Sequence, residues 1–187
     1  MIYRCDDFPK GFNIENLKEY HQEFVKRDEV LTLSILCSLL KNRQDLIDYI
    51  NNHSHFSIQL HGWKHENYGL LIEEKIREDI EDSLEALKKH FNVRPTKWYL
   101  PWNGWVEGKK FAMVPRVREI AKDYGLDVDV VCLGVKSYLK GFKYVKLDQW
   151  SQTEGTETPV VYFHLWNDEK LLIKEMLDYK EKNEKHI

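Results

Sequence analysis

Phe56-Ser57-Ile58-Gln59-Leu60-His61-Gly62-Trp63-Lys64-His65 alternates apolar and polar residues up to Leu60 and then breaks at a histidine. Period-two alternation marks a strand with one buried face. Residues 56–60 are therefore expected as a strand that delivers His61 at its C-terminal end, with His65 four residues on. Downstream, Ile72, Ile76, Ile80, Leu84 and Leu87 recur at steps of three and four, which predicts a helix over 70–91. Asn92 and Pro95 end it. Upstream, residues 30–35 are apolar and β-branched, a second strand. Residues 43–51 read as a helix with Leu46, Ile47 and Ile50 on one side.

The same alternation of types continues to both ends of the chain. Ile2 to Cys5 is expected as a short strand that presents Asp6 and Asp7, and 16–27 as a helix. Beyond the central helix, 96–100 reads as a strand followed by the turn Pro101-Trp102-Asn103-Gly104-Trp105. A helix over 116–124 is capped by Gly125. Strands are expected at 128–133, 144–147 and 160–165, and a charged amphipathic helix at 169–182. Strands interleaved with helices imply a parallel sheet. A full eight-unit barrel takes ~250 residues, whereas this chain has 187. The expected fold is α/β, a distorted, shortened (β/α) barrel of about seven mostly parallel strands, with residues 1–187 forming a single catalytic domain.

Composition narrows the function classes. Apolar residues make up 42%, enough for a core, and the formal net charge is −3. No basic stripe is present, which argues against a nucleic-acid ligand. The most apolar run, Val30 to Leu40, is far short of the ~20 residues of a membrane span. No leader pattern precedes Asp6, so the expected location is cytoplasmic. Cys5, Cys37 and Cys132 are odd in number, lack C-x-x-C spacing and sit in apolar runs, which suits buried free thiols.

Three clusters carry chemistry: Asp6-Asp7, His61-x-x-x-His65, and His164 near the end of the apolar run Val160-Val161-Tyr162-Phe163-His164. Taken singly, each has a bland reading. An Asp pair caps turns, paired histidines occur in surface loops, and a lone strand histidine is often a satisfied core residue. All three, however, fall at strand ends, where α/β folds do their chemistry. One carboxylate with two imidazoles makes a three-ligand metal set that leaves a coordination position open. A second carboxylate and a third histidine are then available as base and acid. The zincin pattern is excluded because Gly62 follows the first histidine where that motif needs Glu. His53 and His55 lie in a polar stretch, and His21 and His90 in helical ones. Trp63, Trp102, Trp105 and Trp166 flank the clusters and suit either a sugar groove or packing on the rim.

With these residues in view, the chain resembles the polysaccharide deacetylase family, the NodB-homology domain, from Asp6 to His164. The family's Asp-Asp motif is matched by Cys5-Asp6-Asp7-Phe8, and its His-Ser/Thr-x-x-His motif by His61-Gly62-Trp63-Lys64-His65. Its Arg-x-Pro turn is matched by Tyr99-Leu100-Pro101-Trp102-Asn103-Gly104, and its final strand-His motif by Phe163-His164. The resemblance implies Asp6 as general base, Asp7, His61 and His65 as metal ligands, and His164 as general acid. It implies the Trp102 backbone N–H as a partner of the oxyanion. Three positions depart from the pattern. Gly62 stands where a Ser or Thr braces the histidine loop, Tyr99 stands where an Arg pairs with the catalytic Asp, and Asn103 lengthens the turn. With Tyr99 there, the metal is expected to do most of the work of keeping Asp6 ionised. Asp148 is the candidate acidic partner of His164.

The implied activity is a metal-dependent deacetylase acting on a carbon–nitrogen, non-peptide bond, with an acetylated sugar or oligosaccharide as partner. The cofactor is one divalent transition metal, zinc first, with cobalt, nickel or iron also compatible with the ligands. Two rivals remain: an amide hydrolase acting on a small cyclic amide or ureide, and a degenerate member that binds metal or glycan without turnover.

Overall fold

Strands with no exposed face form the centre of the molecule. In the computed structural model, which describes residues 2–104, 114–129, 131–133, 150–153, 159–164, 171 and 173–178, β2 (Leu31–Leu36) is buried at every position. β1 (Ile2–Phe8) is buried at all but its first residue. Such runs are the signature of parallel strands covered on both faces. The other strands are β3 (Phe56–Gly62), β4 (Lys97–Tyr99), β5 (Asp127–Asp129), β6 (Val131–Leu133), β7 (Trp150–Thr153) and β8 (Pro159–Phe163).

They form one eight-stranded sheet in the order β5-β4-β3-β2-β1-β8-β7-β6. β1 to β5 and β8 run parallel, while β7 is antiparallel to both β8 and β6. β5 and β6 are opposite edges of this sheet, yet Asp129 and Val131 are two residues apart in the chain. Two residues span at most ~7 Å, so the sheet curls until its edges meet. The result is a shortened, distorted barrel, as expected. Residues 128–133 do not form the single strand expected. The apolar run divides between the two edges, a long-range split that local periodicity does not encode. The strand expected at 144–147 lies outside the described residues.

Among the described residues, α1 (Ile14–Val25), α2 (Gln44–Asn51), α3 (Glu73–Phe91) and α4 (Val114–Lys122) cover the sheet. The Asn13 side chain caps α1 by accepting the Asn16 N–H at 2.8 Å. α3 ends at Asn92, which adopts the left-handed conformation at φ 54°. Ile76, Ile80, Leu87 and Phe91 of α3 enter the core, which also holds Leu33, Ile35, Leu60 and Trp98. Residues 173–178 are helical and bury Ile173, Met176 and Leu177. No described helix is long and apolar enough to cross a membrane.

Candidate metal centre

The C-terminal ends of β1 and β3 bring the first two clusters together. In a regular strand Asp6 and Asp7 would face opposite sides of the sheet. The pairing of β1 with β2 shifts register between Cys5 and Phe8, and Asp7 takes φ 58°. This bulge re-aims the second carboxylate. A left-handed Asp is one of the few non-glycine residues that tolerates such a conformation, and strain of this kind concentrates at functional sites.

Asp7 Oδ1 then lies 2.9 Å from His61 Nε2 and 3.0 Å from His65 Nε2. One ligand atom from each of the three residues falls within 4.8 Å of the others. Asp7 and His61 are buried, whereas the His65 side chain is 27% exposed and faces the mouth. The His61 ring is fixed from behind. Its Nδ1–H donates to the Tyr99 carbonyl at 2.5 Å, since a carbonyl can only accept. Nε2 of a neutral His61 therefore presents a lone pair to a carboxylate oxygen. A proton on Nε2, which makes the hydrogen bond to Asp7, or a metal cation in its place satisfies this pair, and a backbone-anchored imidazole is the usual support of a metal ligand. The donor set thus fits a divalent transition metal. Burial alone would push the Asp7 carboxyl up. The hydrogen bonds and charge of His61 and His65 outweigh it and hold the group well below the usual carboxylate range.

The loop carrying His65 has its own brace. Trp98 Nε1–H donates to the His61 carbonyl at 3.1 Å, and the Ser38 N–H to the Trp63 carbonyl at 2.9 Å. Tyr68 is buried edge-on against Trp98, with its hydroxyl accepting the Trp63 N–H at 3.0 Å and reaching the Lys64 carbonyl at 3.5 Å. A Cβ on Gly62 would collide with Tyr68 Oη and lie 3.0 Å from its Cε2 and Cζ. Gly62 also holds φ 147°. The departure from Ser/Thr is therefore matched by a tyrosine that occupies the space and ties the loop. Burial, with the Asp79 charge nearby, pushes the Tyr68 phenol well up, so it stays protonated and able to donate.

Asp6 faces the same side of β1 as Arg4, two residues before it. Arg4 donates from Nη2 to Asp6 Oδ2 at 2.7 Å, with both side chains buried. Asp6 Oδ1 is buried without a hydrogen-bond partner among the described residues. The Tyr99 ring lies against the Arg4 guanidinium, 4.6 Å from its centroid, and so meets the arginine's cation. Asp6 thus has a positive partner of its own in Arg4, which the expectation that the metal does most of that work did not include.

His164 follows β8 directly and is half-buried. The β1–β8 register pairs Arg4 with Tyr162 and Cys5 with Phe163, so Asp6 and His164 are the next positions along neighbouring parallel strands. Trp102, on the 3₁₀ turn Pro101–Gly104, adopts φ 57° and is 59% exposed. Its ring meets His65 edge-on at 4.9 Å, at the mouth of the centre. Trp63 is half-buried and packs on the core instead. Asp148, Trp105 and Trp166 lie outside the described residues. His21, His53 and His55 gather at the far end of the sheet, where the Leu31 N–H that starts β2 donates to the His55 carbonyl.

Sequence reasoning missed Arg4 and Tyr68. Arg4 left a trace, a charge inside the short strand expected over residues 2–5. Tyr68 left none, because its role depends on a close approach to Gly62.

The sequence profile of the polysaccharide deacetylase family matches residues 11–128, more than half of the chain, which therefore belongs to that family. The matched stretch includes His61 and His65 but begins after the Asp pair. No curated protein matches the chain. Among solved structures, the chain is similar to a family 4 carbohydrate esterase from Streptomyces lividans in complex with acetate, with 13% identity, TM-score 0.69, and coverage of 95% of this chain and 85% of that one. It is also similar to the peptidoglycan deacetylase PdaC from Bacillus subtilis, with 15% identity, TM-score 0.65, and coverage of 95% and 83%. A third is a CE4 family pseudoenzyme from Bacillus anthracis, with 15% identity and TM-score 0.68. The comparison there covers 97% of this chain but 60% of the pseudoenzyme, so the chain spans less than two thirds of that protein's length.

Proposed function

We propose that this protein is a metal-dependent deacetylase that removes an acetyl group, N-acetyl first, from a sugar or oligosaccharide. The observation that carries the reading is the Asp7–His61–His65 trio, with Asp6 paired to Arg4 beside it on the same bulged strand end. Asp7, His61 and His65 would hold a divalent ion, zinc by preference, which would supply Lewis-acid polarisation of the substrate carbonyl and of water.

The chain's own residues do the rest. Asp6 takes the proton of the attacking water at Oδ1, the oxygen that Arg4 leaves unengaged. The Trp102 backbone N–H, turned by its left-handed conformation, is the donor assigned to the developing oxyanion. His164 returns a proton to the leaving amine. The exposed Trp102 indole offers an apolar face at the mouth to a sugar ring. The family's activity and the acetate-bound relative support acetyl as the acyl group.

A second reading, binding without turnover, draws on the pseudoenzyme similarity. The buried pairing of Asp6 with Arg4 favours catalysis, because metal binding alone requires neither residue. Elemental analysis tests the centre. Wild type should carry about one transition metal per chain, and His61→Ala and His65→Ala should lose most of it. Undiminished metal in both variants would remove the site assignment.

A further inference from the structure

We infer that Arg4, delivered from β1, is the positioning residue of Asp6 in the reaction proposed above, and the inference rests on that reading. Arg4 is 2% exposed, a buried cation two residues before Asp6 on a strand buried at all but its first residue. A buried ion pair adds little net stability over apolar residues of equal size, so stability alone does not account for it. Its guanidinium lies over two aromatic rings, 4.6 Å from the Tyr99 centroid and 5.5 Å from that of Tyr162. Tyr162 is its register partner on β8, one strand over and two residues before His164. These rings fix the guanidinium, and the guanidinium fixes Asp6 through Oδ2 at 2.7 Å. Oδ1, buried without a hydrogen-bond partner among the described residues, is left as the working oxygen. The Tyr99 carbonyl meanwhile fixes His61. One residue therefore aligns both the base and a metal ligand: its ring acts through Arg4 and its backbone acts directly.

Position is what this arrangement supplies, and a misplacement of about 1 Å can cost a factor of about 10² in turnover. The test compares metal-loaded wild type with Arg4→Lys, Arg4→Met and Arg4→Met/Tyr99→Arg on N-acetylated sugar oligomers. Metal content and crystal structures are recorded for each. Arg4→Met should keep its metal and a KM within about threefold of wild type while kcat falls about 10²-fold. Arg4→Lys, which lacks the planar fork, should fall in between. An arginine at position 99 starts beside the same guanidinium site, so the double variant should recover most of the loss.

A folded, metal-loaded Arg4→Met with kcat within about threefold of wild type overturns the positioning role. If Arg4→Met does not fold, Arg4→Lys and the double variant decide. Near-wild-type turnover in Arg4→Lys, or no turnover in a folded double variant, counts against the inference. An inactive wild type strikes the hydrolase reading instead. In that case the crystal structures still judge Arg4: an Asp6 carboxylate unmoved without a cation beside it overturns the inference, and one that turns away supports it.

Discussion

Restoring the family's residue at position 62 should damage this protein. Gly62→Ser adds a Cβ that collides with Tyr68 Oη and lies 3.0 Å from two ring carbons. Tyr68 cannot swing clear, because it is buried against Trp98 and hydrogen-bonded to the loop. Overpacking of this kind costs about 1–3 kcal/mol. The backbone at φ 147° is in a region that side chains rarely adopt, which adds about 1–3 kcal/mol more. The sum is about 2–6 kcal/mol, a large share of the stability of a domain. Tyr68→Phe alone removes the partner of the Trp63 N–H and should cost about 1–3 kcal/mol. The two changes together should cost less than their sum, because removing Oη relieves the worst clash, with a coupling of about 0.5–3 kcal/mol. Equilibrium urea unfolding of wild type, both single variants and the double variant measures this cycle. Metal affinity should follow the same order, since the loop carries His65. A Gly62→Ser protein as stable as wild type, or effects that simply add, would refute the account of Tyr68 as the occupant of that space.

Other expectations follow from the same geometry. Asp6→Asn should retain its metal, because Asp6 is not among the three donors, while turnover falls by a factor of ~10²–10⁴, the usual cost of losing a general base. Near-wild-type turnover would leave Asp6 a structural partner of Arg4 only. Burial pushes the Cys37 thiol from its ordinary 9.0 up to about 12, and the Ser83 side chain only partly offsets this. The folded protein keeps that proton where the unfolded chain has lost it, so the contribution to stability is full below pH 9.0 and declines as pH rises towards about 12. At pH 8, iodoacetamide should label Cys37 and Cys5 only after unfolding, since both are buried. Mass spectrometry reads this, and rapid native labelling of Cys37 would contradict the burial. Trp102→Ala should raise KM for sugar oligomers more than it lowers kcat, because the indole, 59% exposed at the mouth, offers a face to substrate while the backbone N–H remains. A fall in kcat at unchanged KM would mean that the side chain serves the turn.

The sequence carried the fold where burial is local. Leu31–Leu36 and Phe56–Leu60 announce themselves because a strand packed on one or both faces must be apolar at those positions. Trp150-Ser151-Gln152-Thr153 has no such pattern, so β7 was not foreseen, although it pairs on both sides. The division of 127–133 into two edge strands is set by closure of the sheet, which no window of seven residues contains. In the proposed site, the Asp7, His61 and His65 cluster was legible because candidate metal ligands are of few types and fall at strand ends. Arg4 and Tyr68 were not, since each meets its partner, Asp6 or Gly62, only through contacts that the folded chain makes. Gly62 and Tyr99 could be recognised as departures, and only the folded arrangement shows what stands in for them.

The central claim is tested most directly by acetate release from N-acetylated sugar oligomers by the metal-loaded protein, the chelator-stripped protein and the stripped protein given metal back. Acetate should appear with the loaded protein, cease on stripping and return on reloading. A loaded protein that binds its metal through Asp7, His61 and His65 and releases no acetate, or a stripped protein that releases it equally fast, would contradict the account.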